Sequence, residues 1–462
     1  MAKHPLSKRE DERQLTRRAL IKWSVAAGAA LGVSRSKIFE ILEGTAGRDV
    51  AHAAAANPVC RSIHLVAGNG GLAWFGLLWP QAEVALANNN NFSWHKPGMA
   101  TEVAGTDKRL VIGPDTPWAT LTPDRQVTLF TCGANETHTN QPGSVTGLNG
   151  SNIFSVASAL QSGNPSVIPF VTLGDVEVGT APGAARPANV NNADGIVGLF
   201  NSAASRAGGL LATTTDAQLY KAHFDALIQL NRAANRSTTK TAYLTAQGAA
   251  KFLGTNLSAQ LAVTPEDLTR YGIGGGTRAN VAAIGRTLIV AVKAFKMGLT
   301  NSIVLPAMRD DPHGAFDGGD VNTVPAMLKG VFDGLMLDLT NTIDDVTMTA
   351  LNQDTVITVH GDTTKSWLNR GGWPDGSTAN TNRVYVWSAG HLMSGNFGQV
   401  RANNTAEGFD ANGAPVAYNG ANTARYAMAS IAYALAKRDE RAIGAFANGL
   451  TISGKFGRPK EI

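Results

Sequence analysis

Six short apolar segments limit the fold of this 462-residue chain more than any other feature. They cover residues 62–67, 126–131, 166–174, 302–307, 355–361 and 384–390. Several of them are separated by stretches with apolar residues three and four apart, at residues 151–163, 217–235, 241–261, 277–298, 323–339 and 422–438. Strands that alternate with helices predict an α/β fold, in which helices sandwich a mostly parallel sheet. Residues 177–205, rich in Ala, Gly, Pro and Asn, are expected to form a long irregular surface insertion.

The amino-terminal segment predicts the compartment. Arg17 and Arg18 precede an apolar run at residues 23–33, which is too short to span a bilayer as a helix. Small residues suited to a cleavage site follow at residues 51–56. This pattern is typical of a twin-arginine signal peptide, here residues 1–55, recognised by the twin-arginine translocase. We therefore expect a periplasmic or extracellular protein that has one α/β domain, residues 56–462, and no transmembrane helix in the mature chain.

The charge balance argues against nucleic acid as a partner. The whole chain carries a formal net charge of +5, but residues 1–55 hold ten Lys/Arg against six Asp/Glu. Removing them leaves 30 basic and 29 acidic residues, so the mature chain is close to neutral. A near-neutral chain lacks the basic surface that nucleic-acid binding requires.

Two cysteines in an exported chain raise the question of a disulfide. Cys60 begins one predicted strand and Cys132 ends another. If these strands are parallel neighbours, the thiols lie at opposite ends of the sheet, about 20 Å apart, too far to be bridged. We expect two buried free thiols.

Residues 310–320, DDPHGAFDGGD, combine four aspartates, one histidine and three glycines between a predicted strand and a predicted helix. Ligands bind at the carboxyl ends of strands in open α/β sheets, and glycines allow a loop to direct several oxygens at a hard cation. The candidate metal ligands are Asp310, His313, Asp317 and Asp320. A solvated turn of the same composition is the alternative.

Three further clusters follow predicted strands. They are the glycine turn at residues 68–71, the segment Asn135-Glu136-Thr137-His138, and His360-Gly361-Asp362 with Asp375 nearby. Convergence of the four clusters at one sheet edge would form a single site, with His360 and Asp362 as further metal ligands. Thr137 is a candidate nucleophile, and His138 and Asp317 are candidate catalytic groups. A single histidine at a strand end more often makes a structural hydrogen bond, and His64, inside a strand, is expected in the core.

At these clusters the chain resembles the twin-arginine-exported proteins of the domain of unknown function 1501 group. The leader, SIHLVAGNGGLAWFGLLWP, NETHT, GAFDGGD, VHGDTTKSWLNRGGWPDGS and YVWSAGHLMSGNFG are similar to that family's segments in order and spacing. The resemblance implies the fold of the alkaline phosphatase and sulfatase superfamily. It also implies a divalent metal, such as zinc or manganese, and a small-molecule phosphate or sulfate ester as substrate.

Two departures from that family's pattern change the expected site. Ala73 stands where the family usually carries an aspartate, and Gly318-Gly319 stands where it carries Thr-His. Loss of such ligands is poorly tolerated by a metal site. Three hypotheses follow: a metal-dependent ester hydrolase, a non-catalytic periplasmic or envelope-associated protein that keeps the fold, and a structural loop stabilised by calcium at residues 310–320.

Overall fold

The computed structural model describes residues 59–87, 89–93, 99–164, 166–205, 252, 256–376 and 381–460. The predicted signal peptide, the predicted helix at residues 217–235 and most of the one at residues 241–261 lie outside these ranges. The chain divides into a larger unit, residues 51–164, 168–193 and 262–462, and a smaller one, residues 1–50, 165–167 and 194–261. The boundaries expected for a single mature domain remain a prediction.

Thirteen strands lie within the described ranges. They are β1 Arg61–Ala67, β2 Thr101–Glu102, β3 Val111–Ile112, β4 Thr128–Ala134, β5 Phe170–Leu173, β6 Ala188–Val190, β7 Ser302–Pro306, β8 Thr355–Gly361, β9 Thr381–Trp387, β10 Gly395–Phe397, β11 Gln399–Val400, β12 Ala406–Phe409 and β13 Pro415–Ala417. Eight of them form one sheet in the order β10-β4-β9-β8-β1-β7-β5-β6. Every pairing in this sheet is parallel except those of β9, which is antiparallel to β4 and β8.

Ten α-helices accompany the strands in the same ranges. They are α1 Leu72–Leu78, α2 Ala82–Ala85, α3 Ile153–Leu160, α4 Ala193–Ser205, α5 Leu257–Leu261, α6 Pro265–Arg270, α7 Ala279–Lys296, α8 Val324–Asn341, α9 Gly420–Leu435 and α10 Gly444–Ala447. In the larger unit, α3 and α9 pack together over one face of the sheet, and α8 packs with α1 and α7 over the other. The α/β class and the mostly parallel sheet are as expected, and they are consistent with an alkaline phosphatase-like architecture.

The central strands are buried along their whole length, which suits parallel strands covered by helices on both faces. All seven residues of β1 and of β8 are buried. The core against α3 and α9 takes alternate residues, among them Val66, Val304, Val356 and Val384. Tyr385 faces the other layer, 5.3 Å from Trp79 and 6.3 Å from Phe75 between ring centroids. The period of two along each strand thus divides the side chains between two cores.

Two sequence-based expectations need correction. Residues 177–205 are not wholly irregular, because they contain the edge strand β6 and the helix α4. Cys60 and Cys132 are free and buried, but β1 and β4 are not neighbours, since β8 and β9 lie between them. The prediction of two free thiols is confirmed. The assumption that their strands are neighbours is wrong, because two strands lie between them. In the part of the chain that the structure describes, no helix combines the length and apolar character needed to cross a bilayer.

Two histidines are buried side by side in the core under α3. The Nδ1 of His64 and the Nε2 of His360 each lie 2.7 Å from the hydroxyl of Thr358. The ring of Phe154 lies 5.1 Å from both imidazoles. Burial lowers the pKa of His64 to about 3 and that of His360 well below its ordinary value. Both side chains are therefore neutral in the folded protein at neutral pH.

This pair predicts a loss of stability in acid. The unfolded chain protonates His64 below a pKa of about 6.5, whereas the folded chain excludes that proton until pH falls to about 3. The free-energy penalty of keeping His64 unprotonated is absent above a pH of about 6.5. Below that pH the penalty lowers the unfolding free energy by about 1.4 kcal/mol per pH unit. Between pH 7.5 and 5.0, His64→Asn should therefore lose about 2 kcal/mol less unfolding free energy than the wild type in urea titrations.

The control for this measurement is His138→Asn, because the pKa of the exposed His138 is raised rather than lowered. Its removal should not reduce the acid-induced loss. Equal pH slopes for the wild type and His64→Asn would contradict the prediction.

Candidate metal centre

Loops from four strands meet at one edge of the large sheet. The strands β1, β7 and β8 are parallel neighbours, and β4 runs the same way because β9 is antiparallel to both β4 and β8. Their carboxyl ends lead to the glycine turn, Asp311, Asp362 and His138 respectively. The contacts described below show that the four clusters identified in the sequence converge, although not with every residue expected.

The glycine turn after β1 is built around a buried carboxylate. The backbone N–H of Gly70 donates to Asp362, with 3.1 Å to Oδ1 and 3.3 Å to Oδ2. Gly70 has a φ of +83°, and a Cβ placed there would lie 3.3 Å from the Cγ of Asp311. A side chain at this position would meet both backbone strain and a carboxylate of the neighbouring loop.

His138, Asp311 and Asp375 form a possible metal-binding group. One ligand atom from each lies within 4.8 Å of the other two. The Nε2 of His138 is 3.0 Å from the Oδ2 of Asp311. His138 also has a φ of +56°, a backbone conformation that is costly for a residue with a side chain and that clusters at functional sites.

A second imidazole faces the same carboxylate oxygens. The Nε2 of His313 lies 3.5 Å from the Oδ2 of Asp311 and 3.4 Å from the Oδ2 of Asp375. Its Nδ1 is 3.0 Å from the carbonyl oxygen of Gly372. A carbonyl only accepts, so Nδ1 carries a proton, and Nε2 is the ring nitrogen that faces the carboxylates. This is the arrangement in which a backbone carbonyl orients a metal-binding histidine.

The other oxygen of each carboxylate is taken by Lys365. Its Nζ lies 2.5 Å from the Oδ1 of Asp311 and also contacts the Oδ1 of Asp375. The side chain of Lys365 is completely buried, whereas Asp311 and Asp375 are partly exposed. The two Oδ1 atoms therefore face an ammonium, and the two Oδ2 atoms face the imidazoles.

The electrostatics keep the two partly exposed carboxylates ionised. Burial acts to raise the pKa of Asp311, but hydrogen bonds from Lys365 and His138 outweigh it, and the net pKa is lowered. The pKa of Asp375 is lowered in the same way, with Lys365 opposing burial. The hydrogen bond to Asp311 raises the pKa of His138. Asp362 differs, since burial raises its pKa to about 7.

Of the residues predicted from the sequence, His138 belongs to the possible metal-binding group, and His313 contacts both of its carboxylates. Thr137 is exposed and precedes His138, and Asp362 is buried beneath the glycine turn, outside the group.

Four of the predicted ligands are placed elsewhere. Asp310 and Asp320 both pair with Arg278, and Asp317 is exposed and outside the group found among the described residues. His360 is buried beside Thr358 and Phe154, because its position on β8 directs the imidazole into the core.

Sequence reasoning did not select three important residues of the cluster. Asp311 lies within the acidic loop without standing out as a ligand, Asp375 is only near the third cluster in the sequence, and Lys365 lies in a loop without any sign of its partners. Lys365 follows His-Gly-Asp-Thr-Thr, and nothing in that local sequence distinguishes it from an exposed loop lysine. Pairing with particular carboxylates depends on the loop conformation, which no periodicity describes.

The structure also describes Ala73 and Gly319, the two positions at which the sequence lacks an expected ligand. Ala73 is buried in α1 and lines a small pocket together with Lys365. Gly319 adopts a φ of +80° and begins a single helical turn at residues 320–322. Neither position supplies a ligand atom.

Fold and site together define a class: an α/β protein with a histidine–aspartate cluster at the carboxyl edge of a mostly parallel sheet. Comparison with known proteins goes no further, since no family model, curated protein or solved structure matches the chain.

The close approach of Gly70 to Asp311 gives a prediction about the cluster. Gly70→Ala should cost about 1–2 kcal/mol of stability from its positive φ and should also displace Asp311, which weakens binding of zinc or manganese. Gly150→Ala is the matched control, because Gly150 has a φ of +78° with no atom within 4 Å of its Cβ position. Thermal melting of both variants measures the cost of backbone strain, which they share. Metal titration measures the effect of the contact with Asp311, which only Gly70→Ala would make. Equal effects of the two substitutions on metal binding would contradict the role given to Gly70.

Proposed function

We propose that this chain is an exported metal-dependent hydrolase of phosphate or sulfate esters, with the alkaline phosphatase/sulfatase-like fold and one metal centre. His138, Asp311 and Asp375, whose ligand atoms lie within 4.8 Å of one another, would hold the metal, and His313, which contacts both carboxylates, would be a fourth ligand. The single observation that supports this proposal is the spacing of the imidazole and carboxylate donor atoms. The Oδ2 atoms of both carboxylates lie 3.0–3.5 Å from imidazole Nε2 atoms, spacings that suit ligands about 2.0–2.2 Å from a shared zinc ion.

The chemistry of the donors favours a transition metal. Two imidazole nitrogens with two carboxylate oxygens suit zinc or manganese, whereas calcium takes six to eight oxygen ligands. The acidic loop also offers calcium less than its composition suggests, because Arg278 already pairs with Asp310 and Asp320. The calcium-stabilised loop is therefore the weakest of the three hypotheses.

The chain's own residues would carry the remaining steps. A bound divalent metal would polarise an oxygen of the ester. Thr137, which is exposed and precedes His138 in the sequence, would supply a nucleophilic hydroxyl. The hydrogen bond to Asp311 raises the pKa of His138, so metal binding at its Nε2 would release that proton. The partly exposed carboxylates leave the cluster open to a small substrate.

A second candidate function is metal binding without catalysis, in a periplasmic or envelope-associated protein. The observation that favours it is the number of ligands. Ala73 and Gly319 supply none, and Asp317 and His360 lie outside the cluster, so the part of the chain described here forms one possible metal-binding group. An enzyme that needs two adjacent metals would not work with such a site.

Metal analysis of variants tests the proposal. Asp311→Asn should remove most of the zinc or manganese from protein purified from the periplasm, and with it any hydrolysis of aryl phosphate or aryl sulfate esters, by at least about a hundredfold. Asp317→Asn should retain both, because that carboxylate is exposed and outside the cluster. Metal in the wild type without ester hydrolysis would favour the non-catalytic candidate, and absence of metal would refute both.

Export by the twin-arginine route is a separate prediction, supported by the leader sequence alone. Replacement of both Arg17 and Arg18 by lysine should leave the protein in the cytoplasm, because the translocase recognises the arginine pair. Cell fractionation of the double variant beside the wild type measures this. Undiminished periplasmic accumulation of the double variant would argue against the route.

A further inference from the structure

Lys365 is a completely buried cation inside the proposed metal centre. Its Nζ contacts one oxygen of Asp311 and one oxygen of Asp375, the two carboxylates proposed as metal ligands. Its surroundings are otherwise largely apolar, with Leu72, Trp367 and Tyr385 lining the same small pocket. A lysine in such surroundings needs a paired anion, because burial of an isolated ammonium is very costly.

The contacts divide the oxygens of each carboxylate between two sides. Lys365 lies on the Oδ1 side of Asp311 and Asp375, while His138 and His313 lie on the Oδ2 side. The ammonium therefore does not occupy the place between the Oδ2 and Nε2 atoms where the metal would bind. Ammonium and metal can be present together, but both are cations and both interact with the same two carboxylates.

We propose that Lys365 is a built-in counter-cation of the metal centre. It stabilises the metal-free protein by neutralising one of the two carboxylate charges, and for that reason it weakens metal binding. This inference rests on the proposed function, since it concerns the same metal centre. It adds that the centre is organised before metal arrives and binds the metal reversibly.

The sign of the effect distinguishes this role from simple positioning. If Lys365 only held the carboxylates in place, its removal would loosen the ligand set and weaken metal binding. If it acts as a counter-cation, its removal abolishes the repulsion between an ammonium and a divalent ion a few ångströms apart. At the effective dielectric constant of a protein, that repulsion changes a dissociation constant by more than tenfold.

The experiment compares Lys365→Met, which keeps the length of the side chain without its charge, with the wild type. Calorimetric titration of metal-free protein with zinc, and separately with manganese, measures the dissociation constants. We expect the constant of Lys365→Met to be at least tenfold lower, and the rise in melting temperature on adding metal to be larger. Lys365→Arg, which keeps the charge, should bind metal within about threefold of the wild type.

Lys329→Met is the matched control, because Lys329 pairs with Asp333 on α8 and has no contact with the cluster among those described. It should leave the metal dissociation constant unchanged. If Lys365→Met is unfolded without metal, circular dichroism after refolding with zinc replaces the titration. Recovery of the folded spectrum supports the proposal, and failure to recover overturns it.

The remaining outcomes separate the two proposals. Equal or weaker metal binding by folded Lys365→Met, with clear binding by the wild type, overturns the counter-cation role and leaves the metal centre standing. Binding by the variant alone supports the counter-cation role. Absence of binding by both refutes the metal centre and with it this inference.

Discussion

The parallel pairing of β1 with β7 and β8 is the constraint on which the site depends. Ser62 lies opposite both Ser302 and Val356, so the three strands are in register from their first residues. Strands that begin together and run the same way end together, and the loops that follow them start from one edge. Backbone hydrogen bonds of the sheet therefore bring together residues that are more than 200 positions apart in sequence, such as Gly70, whose backbone N–H donates to the carboxylate of Asp362.

The same alternation that fills the two cores decides which histidine reaches the site. On β8, Thr358 and His360 face the core under α3, so the imidazole of His360 is buried beside Phe154. Asp362 and Lys365 lie beyond the end of β8 at Gly361, so the alternation of side chains along the strand does not decide which way they point. A polar residue placed within a central strand is thus directed into a core, whereas one placed just beyond the strand is available to the sheet edge.

These facts explain how far the sequence could predict the structure. Long apolar runs and helical periodicity located the main elements, because β8 matches its predicted bounds and α8 and α9 differ from theirs by only a few residues. The same sequence could not show which way His360 points, since a strand buried on both faces is mostly apolar along its whole length and its two faces cannot be told apart by alternation. It could not find β6 either, whose three residues lack the usual run of β-branched side chains.

The pairing of Lys365 lay beyond sequence reasoning for a different reason. A lysine gives no hint of its partner until the loops after β7 and β8 are folded, and Asp311 is 54 positions earlier in the chain. Once folded, the pair changes what the site can do. An ammonium neutralises carboxylates as a metal does, but it has no vacant coordination position and cannot act as a Lewis acid toward an ester. With Ala73 lining the same pocket in place of a ligand, charge balance on the Lys365 side is achieved without a metal. Any hydrolytic chemistry must then come from the Oδ2 side, where His138 and His313 face the two aspartates.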